Sequence, residues 1–374
     1  MIVVAGLVTR AIAHSALRSG YPVHTVDYFG DLDQKGLVPN VSLRRDLRLP
    51  FHVDALVRAA REIPANSAVY TAPLENHPEA VAELASGRRL LGNPPEVLAR
   101  VRNLALLGTV LRSAGFQVPR VRDPDDRTPE AGHWLCKPVR SGGGHGIRPW
   151  TGGPVPVGYV VQEFVQGQPA SALFLASNGE ARLLAVTVQL IGLPSFGASG
   201  FRYCGNLLPL PCDGRILREI HRLVQLLSEA FSLRGVNGVD FVLTPQGPVV
   251  LEVNPRYTAA MELVEYAGGG SVFDLHVRAC LGALPEVPPV RSEAGTWGKA
   301  ILYARRTLRL PDTRPWLARG ICDVPFPGDE VREGQPICTL ITRGSSPEDC
   351  YLRLAQKATA LEREIYGQVP GTGP

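Results

Sequence analysis

Lysine is nearly absent from this 374-residue chain, which has four lysines among its 39 basic residues. Charged residues of both signs make up only 20% of the sequence, and the formal net charge is +4. The arginines are dispersed among acidic residues, and the chain has neither a basic tract nor an acidic tail. We therefore expect no nucleic-acid partner.

Paired cysteines and long apolar runs are also missing. The seven cysteines form no Cys-x-x-Cys pair and are irregularly spaced, which indicates reduced thiols rather than a disulfide framework. No apolar segment reaches the length of a membrane span. Arg10 and His14 interrupt the first apolar run, and no basic region precedes it, so a signal peptide is not expected. These absences predict a cytoplasmic protein without membrane contact, long enough for two or three domains.

The first part of the chain alternates short apolar runs with helical patterns, which predicts a parallel sheet. The predicted strands are 2–5, 23–27 and 68–71, and the predicted helices are 9–19 and 54–61. Ligands bind at the carboxyl ends of such strands. Glu75 and Asn76 follow one of these ends and are candidates for substrate contact. Helix capping ahead of Pro78 is the alternative role for Asn76.

A β-hairpin is predicted on either side of a turn at residues 244–247. Glu252 and Asn254 are two residues apart, so their side chains leave the same face. An odd-length loop would place Asp240 opposite Glu252, whereas a two-residue turn would direct it to the other face. The oxygens of these side chains suit Mg²⁺ on phosphates, and the planar group of Arg256 suits phosphate or carboxylate. A strand pair with three scattered polar residues is the alternative.

A glycine-rich loop at residues 141–146 follows a short apolar segment that contains Lys137. Glycines let backbone amides approach an anion closely, and an ammonium group suits phosphate. The lysine precedes the glycines, so the loop is not a Walker P-loop, and no helix clearly follows, as a dinucleotide fingerprint requires. A flexible glycine hairpin is the alternative. His145 could steady a γ-phosphate, but simple exposure to water is the favoured interpretation.

Three segments together resemble the ATP-grasp superfamily. They are Lys137-Pro138 with the glycine-rich loop, residues 161–168, and Asp240 with the Glu-Val-Asn-Pro-Arg sequence at 252–256. The resemblance covers residues 94–285 and, through their arrangement, extends to the flanking parts. It implies ATP and Mg²⁺ or Mn²⁺ as cofactors.

The fold that this resemblance implies is a mixed α/β and α+β ATP-grasp fold in three parts. A Rossmann-like domain would span 1–93 and an ATP-grasp domain 94–288, with a glycine-rich-loop subdomain at about 120–165. A small, barrel-like, mostly-β domain with a helix would span 289–374. Residues 191–212, rich in Gly, Pro and Ser, are predicted to be an active-site loop, in which Arg202 and Tyr203 are substrate candidates.

The resemblance also implies roles for individual residues. Lys137 would bind the α/β-phosphates, and Arg256 would steady the transferring phosphoryl group and the substrate carboxylate. Arg102 is the nearest basic candidate for the first lysine of the family. The other ATP contacts that the resemblance implies come from the glycine-rich loop, from the backbone that would bind adenine, and from a residue near the ribose. They are, in that order, Gly142, Gly143, Gly144 and Gly146, then Glu163, Phe164 and Val165, and then Gln168. The implied metal ligands are Asp240, Glu252 and Asn254.

The function expected from the resemblance is an ADP-producing ligase that phosphorylates a small-molecule carboxylate and joins it to an amine. The stretches 28–31 and 323–328 look similar to those of tyramine–glutamate ligases of methanofuran-type cofactors, which belong to C1-carrier coenzyme pathways. The alternatives are a carboxylase that activates bicarbonate and a non-catalytic nucleotide-binding module. The chain could pair with itself as a homodimer.

Overall fold

The computed structural model describes residues 1–122, 133–268, 270–287, 290 and 295–367. The predicted domain boundary at 288–289 and part of the predicted subdomain at 120–165 lie outside the described residues. In the part of the chain that is described, no helix is both long and apolar enough to span a membrane.

Eighteen strands are described. They are β1 Ile2–Ala5, β2 Val23–Asp27, β3 Asn40–Ser42, β4 Ser67–Tyr70, β5 Arg89–Leu90, β6 Val121–Arg122, β7 Trp134–Pro138, β8 Arg148–Trp150, β9 Tyr159–Glu163, β10 Gln168–Ser177, β11 Glu180–Ile191, β12 Tyr203–Leu208, β13 Gly235–Thr244, β14 Gly247–Asn254, β15 Thr296–Tyr303, β16 Leu308–Arg309, β17 Glu330–Val331 and β18 Pro336–Gly344.

Eleven α-helices are described with them. They are α1 Arg10–Arg18, α2 Leu32–Lys35, α3 Val53–Arg61, α4 Pro78–Ala85, α5 Pro95–Val101, α6 Leu104–Ser113, α7 Gly214–Phe231, α8 Met261–Tyr266, α9 Val272–Cys280, α10 Arg314–Ala318 and α11 Pro347–Tyr366. Two 3₁₀ turns span Leu74–Asn76 and Pro194–Phe196.

The N-terminal part forms the parallel sheet that the sequence predicts. Its strand order is β3-β2-β1-β4-β5, and all of its neighbouring pairs are parallel. The apolar runs of β1 and β4 are buried on both faces, as expected of a sheet covered by helices on both sides. The 3₁₀ turn that carries Glu75 and Asn76 begins four residues after β4 ends. Both side chains therefore lie at the carboxyl edge of the sheet.

A seven-stranded sheet forms the centre of the molecule, in the order β14-β13-β10-β11-β12-β15-β18. Phe174 and Phe241 pack against α7 on one face, and Leu173 packs with α8 and α9 on the other. The amphipathic α7 begins at Gly214, because the Asp213 carboxylate accepts a hydrogen bond from the Ile216 amide at 2.8 Å and caps the helix. A separate sheet, β6-β9-β7-β8, carries Lys137.

Two expectations about the second half of the chain differ from the structure. Residues 191–212 are not one long loop, since they contain a 3₁₀ turn and β12, which pairs with β11 and β15. The C-terminal strands β15 and β18 do not build a barrel-like unit of their own but continue the central sheet. Long-range pairing decides both points, and local sequence pattern does not reveal it.

A buried ionic network joins the N-terminal, central and C-terminal parts. Arg10 is 1% exposed and binds the carboxylates of Glu262 and Asp323, the latter at 2.9 Å from its Nε. Lys299 lies 2.7 Å from Glu262. Asp33 accepts hydrogen bonds from the backbone amides of Asp323 and Val324, each at 2.9 Å. A buried arginine is stable only when such partners offset its lost hydration.

The stretches 28–31 and 323–328 adjoin this network, and Asp323 of the second stretch belongs to it. The Leu32 amide, just after the first stretch, donates to the Val324 carbonyl at 2.7 Å. Arg45 lies over the ring of Phe326 at 4.0 Å. Both stretches therefore have a packing role at the junction between the N-terminal and C-terminal parts.

His276 connects the N-terminal part to the central sheet. Its Nδ1 accepts a hydrogen bond from the Val236 amide at 3.0 Å, so its Nε2 carries the hydrogen and donates to the Leu91 carbonyl at 3.0 Å. Burial lowers the pKa of His276 to about 4. A second proton would have to displace the Val236 amide, so the folded protein holds this ring neutral.

The free energy of unfolding is therefore expected to decrease as the pH falls below about 6.5. In that range His276 is protonated in the unfolded chain but stays neutral in the folded protein, where its pKa is about 4. The loss is about 3 kcal/mol across that window. Urea unfolding from pH 7.5 to 4.5 measures it. His276→Gln should flatten the pH dependence, while His52→Gln, at an exposed position, should leave it unchanged. An equal slope in both variants would contradict this assignment.

Candidate active site

The β13–β14 hairpin places Asp240 directly opposite Glu252. Its turn is the two-residue type, with Thr244 paired to Gly247, which on its own would direct Asp240 to the other face. A β-bulge at Leu251 adds one residue to β14 and restores the register. The predicted pairing of the two carboxylates is thus present, but a bulge rather than an odd-length loop produces it.

Lys137, Asp240, Glu252, Asn254 and Arg256 converge at this hairpin, and we call them the polar cluster. Lys137 Nζ lies 2.8 Å from Glu252 Oε2, although the two residues are far apart in sequence. Asn254 Nδ2 donates to Asp240 Oδ2 at 2.8 Å. Arg256 donates from its Nη2 to Asn254 Oδ1 at 3.2 Å. The two halves of the predicted site therefore meet.

The N-terminal part supplies two further residues to the polar cluster. Glu75 is 1% exposed, and its Oε1 lies 2.8 Å from Arg256 Nε. Asn76 does not cap α4, since its Oδ1 accepts hydrogen bonds from the Arg102 guanidinium at 3.1 and 2.8 Å. Arg102 also lies 4.0 Å from Glu252. Arg102 thus lies beside the polar cluster and connects it to Asn76.

The two carboxylates of the polar cluster differ in their pKa. Burial and the neighbouring charge of Glu252 raise the pKa of Asp240 above its ordinary value. Burial also opposes ionisation of Glu252, but Lys137 and Arg102 outweigh it and hold the pKa of Glu252 well below its ordinary range. Two carboxylates face each other here, and only one has a lysine partner. A cation between them would offset the repulsion.

A cavity of about 500 Å³ lies next to the polar cluster. Val160 pairs with Lys137 across β9 and β7, so both side chains leave one face of the small sheet. Val160 and Gln162 line the cavity from that face, and Leu251 lines it from the hairpin bulge. The remaining wall is largely apolar and includes Leu104, Leu107, Val118 and Val121. The mostly apolar lining suits an apolar group whose charged end lies at the polar cluster.

The backbone that is predicted to bind adenine begins at Glu163, the last residue of β9, and ends at Val165. The Glu163 amide already donates to the Arg120 carbonyl at 2.9 Å and the Phe164 amide to the His133 carbonyl at 2.8 Å. Two of the three amides are therefore used within the fold, and Val165 carries the third. Gln168 is exposed at the start of β10, where its side chain donates to the Pro169 carbonyl at 3.2 Å.

The glycine-rich loop is held between β7 and the segment before β12. The Tyr203 amide donates to the Gly143 carbonyl at 3.0 Å, and Gly144 lies against the Phe201 carbonyl with a φ of +74°. Gly143 and Gly146 also have positive φ, while Gly142 does not. The Tyr203 hydroxyl donates to Asn206 Oδ1. These contacts show why glycine is needed at position 144 in particular.

Residues 103–260 match the family of ATP-grasp domains. This segment of the chain is an ATP-grasp domain. An uncharacterized protein of Methanocaldococcus jannaschii, MJ0776, is 21% identical over 367 residues, which cover 91% of this chain and 87% of that protein. The family match confirms the expected resemblance to ATP-grasp domains for residues 103–260.

Two solved structures share the ATP-grasp fold of this chain. L-amino acid ligase from Bacillus licheniformis is 15% identical with a TM-score of 0.67, over 96% of this chain and 97% of the ligase. Rhizobium etli pyruvate carboxylase is 14% identical with a TM-score of 0.72, over 95% of this chain. The match covers only 36% of the carboxylase, so this chain spans about a third of that protein's length. At these identities the likeness shows a shared fold.

ATP-grasp proteins use ATP with Mg²⁺, and the polar cluster fits such an ion. It offers oxygens of Asp240, Glu252 and Asn254, which are the hard ligands that Mg²⁺ prefers. Among the described residues, no group of three or more His, Cys, Asp or Glu side chains could hold a metal. A metal at this hairpin would therefore depend on the amide oxygen of Asn254 and on phosphate oxygens.

Two features of the site were not predicted from the sequence. One is the residue Gln189, and the other is the wall of the cavity. Gln189 Nε2 donates to Asp240 Oδ1 at 2.9 Å and so helps to orient that carboxylate. Thr187 and Gln189 are polar residues at alternate positions in the otherwise apolar second half of β11, and this pattern was a usable signal. Leu251 could not be assigned to the cavity from sequence, because its direction depends on the bulge.

Proposed function

We propose that this ATP-grasp protein is a ligase that forms an acyl phosphate on a small-molecule carboxylate and joins the acyl group to an amine. The supporting observation is that one point of the fold holds both halves of the required chemistry. Lys137, Asp240 and Glu252 can hold the triphosphate and its metal. Arg256 lies in the same cluster and contacts Glu75 of the N-terminal part.

The proposed reaction has two steps. An oxygen of the substrate carboxylate attacks the γ-phosphorus of ATP, and ADP leaves. The amine nitrogen then attacks the acyl carbon, the tetrahedral intermediate expels phosphate, and the nitrogen loses a proton. No nucleophilic side chain is needed, so positioning and electrostatics carry the rate.

The residues of the polar cluster would divide this work. Lys137, with Arg102 beside it, would bind the phosphates of the nucleotide whose base occupies the apolar cavity. Asp240, Glu252 and Asn254 would hold Mg²⁺, which supplies positive charge to the phosphoryl oxygens when bound. Arg256 would hold the substrate carboxylate next to the γ-phosphate. The amides of Gly142–Gly146 would cover the β/γ-phosphates.

The narrower hypothesis is a ligase of the tyramine–glutamate type in C1-carrier coenzyme synthesis. It rests on the stretches 28–31 and 323–328, which pack at the junction between the N-terminal and C-terminal parts. Since packing alone accounts for them, they carry little information on the substrate. Turnover of L-glutamate with tyramine, as one pair of the substrate panel, tests this hypothesis directly.

Purified protein with ATP, Mg²⁺ and matched carboxylate and amine should release ADP and phosphate. With an ¹⁸O-labelled carboxylate, one ¹⁸O should appear in the released phosphate, because the attacking oxygen stays on phosphorus. AMP and pyrophosphate as products would exclude the acyl phosphate route. Bicarbonate-dependent turnover without an amine would assign the carboxylase alternative, and nucleotide binding without turnover across the panel would assign the non-catalytic one.

A further inference from the structure

Arg202 joins the glycine-rich loop to the C-terminal part of the chain. One end of its guanidinium donates to the Gly334 carbonyl, in the turn between β17 and β18. The other end lies 3.3 Å from Nδ1 of His145, inside the glycine-rich loop. Its plane also lies over the ring of Tyr303, with the guanidinium carbon 5.0 Å from the ring centroid. A forked side chain can hold two partners in this way.

Backbone contacts reinforce the same connection. Phe201 presses its carbonyl against Gly144, and the Tyr203 amide donates to Gly143 at 3.0 Å. The Tyr303 hydroxyl in turn donates to the Tyr203 carbonyl at 2.8 Å. Tyr303 belongs to β15 and is 8% exposed, so it is part of a packed core. The glycine-rich loop therefore packs against a well-packed part of the fold that lies outside the polar cluster.

The Arg202 contact also determines the tautomer of His145. Arginine has only hydrogen-bond donors, so Nδ1 of His145 must be the acceptor. In the neutral imidazole the hydrogen then lies on Nε2, which makes Nε2 the donor of this side chain. A loop that covers phosphates would thereby present an N–H group to them in addition to its backbone amides.

We propose that Arg202 is a positioning residue that holds the glycine-rich loop against the C-terminal part and orients His145 as a donor to the phosphates of ATP. The inference rests on the proposed function and assigns the C-terminal part a role in it. Arg202 was a candidate for reading the substrate carboxylate, but its guanidinium is already committed to Gly334 and His145.

The test compares Arg202→Ala, His145→Gln and the double variant with the parent. Hydrogen exchange of the loop amides in ligand-free protein and the affinity for MgADP require no substrate pair, so they test the inference separately from the ligase reaction. Arg305→Ala is the matched control, because Arg305 bonds Glu362 at 2.6 Å and the Pro194 carbonyl at 2.7 Å and does not contact the loop.

Arg202→Ala should speed exchange across residues 142–146 and weaken MgADP about tenfold, with kcat lowered up to about a hundredfold. In the His145→Gln background the same change should cost kcat little more, because the two residues act together. Arg202→Lys should remain impaired, since one nitrogen cannot reach both partners. Unchanged exchange, full additivity, or recovery by lysine would each overturn the proposal.

The ligase proposal can fail without this inference failing. If no carboxylate and amine pair supports turnover, faster loop exchange and weaker MgADP binding in Arg202→Ala would still support the positioning role. If turnover is found but Arg305→Ala and Arg202→Ala change exchange and MgADP affinity equally, the effect comes from general loosening of the C-terminal part, and the specific role of Arg202 is excluded.

Discussion

Asp240→Asn and Glu252→Gln should each lower turnover by at least about a hundredfold. Both substitutions keep the side-chain size but remove a charged oxygen from the set that would hold Mg²⁺. Glu252→Gln also deprives Lys137 of its partner at 2.8 Å. Steady-state rates at increasing Mg²⁺ concentrations measure the effect, and excess Mg²⁺ should recover part of the lost rate if the ligand role is correct.

Glu83→Gln is the control for these two variants. Glu83 is a surface carboxylate that pairs with Arg61 at 3.0 Å and is not part of the polar cluster. Exposed ion pairs of this kind contribute little to stability. Its rate should equal that of the parent. The unfolding midpoints of all three variants should stay within a few degrees of the parent. Parental rates in Asp240→Asn and Glu252→Gln would remove both residues from the metal site.

Gly144→Ala should reduce kcat/KM for ATP by about tenfold or more. An added Cβ at position 144 would collide with the Phe201 carbonyl, and the φ of +74° is unfavourable for alanine. The loop must therefore move away from its support. Initial rates at varied ATP, together with binding of MgADP, measure the displacement.

Gly142→Ala is the matched comparison within the same loop. A Cβ at position 142 meets nothing within 4 Å, and its φ is not positive. Alanine keeps the backbone amide, so this variant should retain most of its activity. Equal losses at positions 142 and 144 would show that general flexibility of the loop, and not its contact with Phe201, is what ATP binding requires.

Much of the local structure follows from residue patterns. The hairpin at residues 177–180, the Asp213 cap of α7 and the amphipathic α11 are recognisable because their signals lie within a few residues. Lysine is rare in the chain, and Lys137, which precedes the glycine-rich loop, contacts Glu252. Spacing of two along a strand placed Glu252 and Asn254 on one face, next to Asp240.

Other features needed the folded chain. The bulge at Leu251 depends on how β14 pairs with β13, and the residue types of β14 do not indicate it. The strand at 203–208 has no strong local signal in its Gly-rich and Pro-rich surroundings and forms because β11 and β15 pair with its two edges. The contact of Glu75 with Arg256 joins two parts of the chain across a large sequence separation.

The order of residues is enough to identify the chemical groups that this protein has for phosphate and metal. It also indicates on which strand faces many of them lie, because strand and helix periods act over a few residues. The folding of the chain brings these groups together, aligns Asp240 with Glu252 through a bulge, and places Arg202 in contact with both the glycine-rich loop and the C-terminal part. Those outcomes depend on packing and pairing between distant segments, which local preferences do not encode.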